Sequence, residues 1–179
     1  GQALFGDVNP GGRLPVTFYK ADETMPAFDD YTMQGRTYRY FRGTPLYPFG
    51  HGLSYTQFHY GRLHLDAARI RSDGTLTLRV EITNTGSTAG DEVVQAYVRR
   101  RGAGPDDAQQ SLRGFQRISL APAEKRTVTF TLDAAQALRQ YDDARGTYVV
   151  APGAYEVRVG SSSADIRAEA GFTVETRRD

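Results

Sequence analysis

The chain has 179 residues, with 22 Lys and Arg against 21 Asp and Glu, a formal net charge of +1, 39% hydrophobic and 24% charged residues, and no cysteine. This balance excludes wholesale disorder and collagen-like repetition. Charges so evenly matched argue against a nucleic-acid partner, and a chain without thiols has no disulfide, thiolate metal site or cysteine nucleophile. The length suits one domain with an extension, able to bury about two-thirds of its unfolded surface without staples.

The chain opens on Gly1-Gln2-Ala3-Leu4-Phe5, with neither an initiator Met nor a signal-peptide pattern, and is expected to be a C-terminal piece of something longer. No apolar run approaches the ~20 residues of a membrane span. Residues 1–55 hold five of the eight prolines and no sustained period, which predicts an extended, Pro-rich segment with turns. Asn9-Pro10-Gly11-Gly12 is a turn signal. Leu14-Pro15-Val16-Thr17-Phe18 predicts one short strand, kept by Pro15 to an edge or a strand start.

From residue 56 the apolar residues alternate. Phe58, Tyr60, Leu63 and Leu65 come first, with an irregularity at Gly61. Leu76, Leu78, Val80 and Ile82 follow at a clean spacing of two, then Val94, Ala96 and Val98. Ile118 and Leu120, then Val128, Phe130 and Leu132, Tyr155, Val157 and Val159, and Phe172 and Val174 complete the series. A period of two places each set on one face of a half-buried strand. Turn signals at 72–74, 84–86, 122–124, 152–153 and 160–163 separate the sets. About seven short strands punctuated in this way predict an all-β fold, an antiparallel β-sandwich of immunoglobulin-like kind. Asp133 is placed to N-cap a short helix over 134–138. Arg99-Arg100-Arg101, running into Gly-Ala-Gly-Pro-Asp-Asp, reads as a solvated loop.

Candidate chemistry is sparse. The pairs Asp29-Asp30, Asp106-Asp107 and Asp142-Asp143 each sit beside turn residues and read as turn caps. His51, His59 and His64 lack metal-ligand spacing, and His59 and His64 fall on opposite faces of a regular strand unless Gly61 makes a bulge. Ser54 lies in Gly-His-Gly-Leu-Ser-Tyr, which is not a nucleophile elbow, and the glycines at 6, 11 and 12 match neither a Walker loop nor a dinucleotide fingerprint. No catalytic residue, metal ligand or cofactor is assigned, and the substrate-binding residues are unknown. Eight of the twenty aromatics fall between residues 38 and 60: Tyr38, Tyr40, Phe41, Tyr47, Phe49, Tyr55, Phe58 and Tyr60. They read as packing against the sandwich or a neighbouring domain, with a platform for sugar rings as the alternative. Tyr47-Pro48 invites a cis peptide.

Asp7 to Phe18, with Asn9-Pro10-Gly11-Gly12-Arg13-Leu14-Pro15-Val16-Thr17-Phe18, resembles the segment that closes the α/β sandwich domain of glycoside hydrolase family 3. Gly35-Arg36-Thr37-Tyr38-Arg39-Tyr40-Phe41 and Pro45-Leu46-Tyr47-Pro48-Phe49-Gly50-His51-Gly52-Leu53-Ser54-Tyr55-Thr56 resemble the long signature that follows it. Gly90 to Val98, Leu112-Arg113-Gly114-Phe115, Pro152 to Val157 and Val159 to Ser162 resemble strands of its fibronectin type III-like domain.

The resemblance implies a parent that is a retaining β-glycosidase, of β-glucosidase or β-xylosidase type, periplasmic or secreted. It places the nucleophile, an aspartate, and the acid/base, a glutamate, in domains upstream of Gly1, and no acidic residue here matches either. It divides the chain into a remnant of the α/β domain (1–20), an extended linker with the aromatic signature (21–55) and the fibronectin type III-like sandwich (56–179). Arg13, Pro15, Tyr38, Tyr40, Phe41, Pro48, Phe49, Gly50, Gly52, Leu53 and Tyr55 carry over as interdomain packing residues. The implied partners are the catalytic domains of the same enzyme, with oligosaccharide or polysaccharide contact belonging to the alternative of a carbohydrate-binding module. Residues 1–20 are expected to be loosely held or docked on another chain, since their strand would lack its sheet.

Overall fold

A computed structural model describes residues 1–176. Two single-turn helices, α1 (Gln2–Phe5) and α2 (Thr37–Tyr40), are the only regular elements before residue 58. Then come β1 (Phe58–Tyr60), β2 (His64–Leu65), β3 (Arg69–Arg71), β4 (Thr75–Asn84), β5 (Gly90–Arg100), β6 (Ser111–Leu120) and β7 (Lys125–Asp133). α3 (Ala134–Ala137), β8 (Gln140–Asp142), β9 (Thr147–Val149), β10 (Gly153–Gly160) and β11 (Ile166–Glu175) follow.

In one sheet β1 and β2 pair in succession along one edge of β4, and β7 pairs along the other. The second sheet runs β3-β11-β10-β5-β6, antiparallel except where β3 lies parallel to β11. The alternating sets face each other between the layers: Leu76, Leu78, Val80 and Ile82 of β4 and Val128 and Leu132 of β7 meet Val94 and Ala96 of β5 and Val157 and Val159 of β10 in one buried cluster. This is the antiparallel β-sandwich that the alternation predicts. The helix after Asp133 is also present, and Asp133 accepts the Ala135 amide at 2.9 Å as its N-cap.

The irregularity at Gly61 is a bulge. Tyr60 pairs with Ile82 and His64 with Arg79, so three residues oppose two. The extra residue brings His59 and His64 to the same, exposed side of the sheet. The strand predicted over 14–18 does not form; Phe18 makes only an isolated bridge to Tyr47. The cause is local. Pro15 has no amide hydrogen, and the polar groups of Leu14 are already taken, its N–H by the His51 carbonyl and its C=O by the Gly50 amide, both at 2.8 Å. β3, β8, β9 and the two N-terminal turns are too short to carry a readable period. The Tyr47-Pro48 peptide is trans.

Asn84 closes the end of the sandwich. It is buried, and its side chain fills all four hydrogen-bonding positions. Oδ1 accepts from Thr56 Oγ1 (2.6 Å) and the Gly86 amide (3.0 Å), and Nδ2 donates to the carbonyls of Thr88 (2.8 Å) and Leu120 (3.1 Å). One side chain thus ties together the entry to β1, the β4–β5 turn and the end of β6. Asn84→Leu, similar in size, strands these partners and is expected to lower stability by about 3 kcal/mol or more. Urea unfolding reads this loss, and Thr85→Val, on the exposed side of the same turn, is expected to cost less than about 1 kcal/mol.

Candidate functional site

β4 and β7 alternate buried and exposed in the ordinary way, but β5 does not. From Val94 to Val98 every residue is buried. Val94, Ala96 and Val98 face the core, so Gln95 and Tyr97 must be covered from outside. The cover is the aromatic segment. Tyr38 packs edge-on against Tyr97 (centroids 5.8 Å) and stacks on Phe49 (4.4 Å), and its hydroxyl accepts the Leu112 amide at 3.0 Å. The Tyr97 hydroxyl donates to Gln95 Oε1 at 2.5 Å. Gln95 Nε2 reaches the carbonyls of Ser161 (2.5 Å) and Gly50 (3.4 Å). Gly50 has φ 82°, and a Cβ there would collide with the Gln95 amide, so glycine is required on both counts. Gly52 is equally constrained, because a Cβ would run into the Gly12 carbonyl and the Arg13 side chain.

Further along the seam, Tyr19 packs edge-on against Phe41 at 4.9 Å, and its hydroxyl accepts the Thr37 amide at 2.6 Å. That bond holds Thr37 at φ 56°, a conformation a β-branched residue avoids. Gln109 ties the other side down: its amide donates to the Arg39 carbonyl (2.7 Å) and its Nε2 to the Phe41 carbonyl (2.6 Å). Asn9 clamps the Ser54 hydroxyl (3.1 Å) and the Tyr55 amide (2.9 Å).

Three ion pairs stand out, one across the seam and two within the sandwich. Arg13 Nη2 meets Glu92 Oε1 at 2.6 Å with side chains 10% and 3% exposed. Glu92 stands where the core-facing row of β5 reaches the end of the sandwich, beside a cavity of about 390 Å³ whose wall includes His51, Ser162 and Arg167. The hydroxyl of Tyr60 and Nε of Arg13 are buried without a partner. Burial, together with the charge of Glu92, pushes the Tyr60 phenol up. On the outer face, Glu156 is only 4% exposed and holds Arg99 Nε at 2.5 Å and Arg101 Nη2 at 2.8 Å. Burial opposes its ionisation, but the hydrogen bonds and charges of Arg101 and Arg99 outweigh it and hold the carboxyl below its ordinary value. The arginine run is therefore not a plain solvated loop. β5 extends through Arg100, and pairing with β10 sets Arg99 opposite Glu156.

Of the residues singled out in the sequence, Arg13, Tyr38, Phe41, Phe49, Gly50 and Gly52 come together on the sandwich, and Pro48 borders a cleft there with Tyr38 and Phe41. Tyr40 lies under the Arg39 guanidinium at 5.3 Å. Pro15, Leu53 and Tyr55 instead face outward. Phe58 and Tyr60 are in the core, so most of the cluster's rings are used in packing rather than as an open platform. Gln95, Tyr97, Glu92 and Glu156 escaped sequence reasoning; a polar residue and a tyrosine between Val94, Ala96 and Val98 look like the wet face of a strand. The acidic pairs act as turn caps: Asp30 accepts the Thr32 amide, Asp107 that of Gly104 and Asp142 that of Arg145.

A family model described as the glycosyl hydrolase family 3 C-terminal domain matches residues 1–55, and one described as a fibronectin type III-like domain matches residues 92–163. The chain belongs to the C-terminal region of glycoside hydrolase family 3. It is 44% identical over 163 residues to a xylan 1,4-beta-xylosidase of Xylanibacter ruminicola, covering 90% of this chain and 18% of that protein. It is 36% identical over 176 residues to a periplasmic beta-glucosidase of Salmonella typhimurium, covering 92% and 23%. Among solved structures, a beta-glucosidase of Kluyveromyces marxianus superposes with a TM-score of 0.85 at 31% identity, over 97% of this chain and 22% of that one. The chain thus spans about a fifth of the length of the family 3 relatives it matches. Among the described residues no helix is long and apolar enough to cross a membrane.

Arg13→Ala leaves Glu92 buried without its counter-charge and is expected to cost about 3–5 kcal/mol in urea unfolding, most of it regained when Arg13→Met is combined with Glu92→Met. Because the folded pKa of Glu156 is depressed, its stabilisation is present above the ordinary value of 4.5 and fades as pH falls through the lower folded value. Glu156→Gln is therefore expected to flatten the acid limb of the stability–pH curve below about pH 5.

Proposed function

We propose that the chain is the non-catalytic C-terminal accessory portion of a family 3 β-glycosidase, which packs on and stabilises the catalytic domains that hydrolyse terminal β-linked sugars. Residues 1–20 close the α/β domain, residues 21–55 are the linker, and residues 56–179 are the fibronectin type III-like sandwich that braces both. The partners are the catalytic domains of the same enzyme. The name of the Salmonella relative supports a periplasmic or secreted setting.

The observation that carries this reading is where the apolar surface lies. Of sixteen large hydrophobic side chains exposed among the described residues, thirteen belong to residues 1–55, Leu4, Phe5, Phe28 and Leu53 among them. Past residue 55 only Phe115, Tyr141 and Tyr148 are exposed in this way. Such a concentration of exposed apolar side chains in one segment supports a role for it as an interaction surface. The exposure of Pro15, Leu53 and Tyr55 supports an interdomain role for them.

The test compares one substitution in two settings. Leu53→Glu is expected to leave the unfolding temperature of the 179-residue chain unchanged, because Leu53 is 70% exposed there. In the whole enzyme the same change is expected to lower it, because it buries a charge against the catalytic domains. Equal effects in both settings would refute the packing role. Turnover of an aryl β-glucoside or β-xyloside by the purified chain would refute the non-catalytic one.

A further inference from the structure

An apolar groove of about 340 Å³ lies on the outer face of β5 and β6. Pairing of the two strands sets Arg117 opposite Val93 and Phe115 opposite Gln95. Gln95 faces away from the core, so Phe115 stands beside it on the same outer face. Residues of two origins line the groove: Val93, Leu112 and Phe115 from the sandwich, and Leu14, Pro15 and Phe49 from the first 55 residues. The polar side chains that border it are engaged. Gln95 is held by Tyr97, Ser161 and Gly50, and Arg117 by Asp91. Arg13 keeps its charge on Glu92, and only its Nε lacks a partner. What the groove offers is therefore apolar surface.

Phe115 is out of place for a soluble sandwich. It is 69% exposed in the middle of the ten-residue strand β6, at the edge of its sheet. Tyr141 and Tyr148, the other large apolar residues exposed past residue 55, pack on each other at 5.3 Å, and Arg139 covers Tyr148. Phe115 has no ring or guanidinium contact of that kind among the described residues. A bare phenyl ring on an edge strand, beside an open apolar groove, suits a contact surface.

Residues 1–55 match a domain model yet bury only Gly11 and Gly50, so they complete a body whose core lies elsewhere. The chain also spans only about a fifth of its relatives. Gly11, in the groove wall, is ten residues from Gly1, a reach of at most about 35 Å. A body tethered so closely meets the groove at a far higher effective concentration than a second copy does. We propose that the groove receives an apolar side chain, aromatic or branched aliphatic, from the upstream part of the same polypeptide, with Phe115 as the anchor on the sandwich side. The proposal rests on the packing reading above and extends it. That reading needs only the surface of residues 1–55, whereas here the outer face of β5 and β6 joins the interface. A charged occupant is disfavoured by desolvation, since Arg13 and Arg117 already have their carboxylates.

The test introduces single thiols and compares their alkylation in the 179-residue chain and in the whole enzyme. The chain has no cysteine of its own, and in the whole enzyme the labelled peptide is identified by mass spectrometry. Thr129→Cys, on the exposed face of the opposite sheet, sets the reference rate in each. In the chain, Phe115→Cys is expected to react at close to this reference rate, and in the whole enzyme at least about tenfold more slowly. Phe115→Glu is expected to leave the unfolding temperature of the chain unchanged and to lower that of the whole enzyme. The proposal is overturned if Phe115→Cys reacts at the reference rate in the whole enzyme, or if Phe115→Glu leaves that enzyme's unfolding temperature unchanged. Slowing that disappears on dilution also overturns it, in favour of a second copy as the occupant. Leu53→Cys separates this proposal from the reading it rests on. If it is slowed in the whole enzyme while Phe115→Cys is not, packing through residues 1–55 stands and the groove is no part of it. If neither is slowed, both fail.

Discussion

Tyr97 and Gln95 face away from the sandwich core, yet both are buried, and this double burial of β5 shapes the chain. A phenol and a primary amide taken out of water need partners. They find them in each other, in Ser161 and in the backbone of Gly50, while Tyr38 and Phe49 exclude solvent. That solution works only if the chain at 50 runs close enough for its carbonyl to reach Gln95, which needs a glycine at positive φ. The glycine-rich signature and the outer face of β5 are two halves of one packing arrangement.

Charge fixes the register of that arrangement. A buried ion pair adds little net stability over a well-packed apolar pair, but it penalises every alignment that separates its members. Arg13 and Glu92 are 79 residues apart in sequence and meet with both side chains nearly dry. A shift of the segment by one residue would leave Glu92 buried and alone. The apolar contacts along the seam thus supply most of the attraction, and Arg13 with Glu92 selects one docking among several that the aromatic surfaces would tolerate. Glu156 works differently. Its arginines are half exposed, so it organises the strand end without sealing it.

The sandwich was legible because β4, β7 and β10 obey a period of two, and the buried sets at 76–82, 128–132 and 155–159 are those the alternation marks. The bulge at Gly61 was visible as a broken spacing, and its consequence, the shared exposed side of His59 and His64, needed only one register count. What sequence periodicity could not reach was the second burial of β5, because the covering residues lie some 45 positions away and have no period of their own. The same limit hid Glu92 and Glu156. A carboxylate reads as solvent-facing until its guanidinium partner is placed, and Arg13 and Arg101 are placed by tertiary contact alone. The strand over 14–18 failed for the opposite reason. Its local pattern was acceptable, but Leu14 and Phe18 each bond a different point of the 47–51 turn, and the proline between them cannot bridge the gap.

The first 55 residues cannot order themselves. Only two of them, Gly11 and Gly50, are buried, and neither has a side chain to contribute to a core. Their two helices are single turns, below the length at which a helix is stable in water. Whatever shape this stretch holds is imposed by the sandwich, through Tyr38 on Tyr97, Arg13 on Glu92 and Gln109 on the backbone at 39 and 41. The dependence is one-sided, since the two-layer core between β4 and β10 is complete without any residue before Phe58. A self-sufficient β-sandwich thus templates an otherwise coreless segment and fixes the geometry of that segment's exposed apolar side chains.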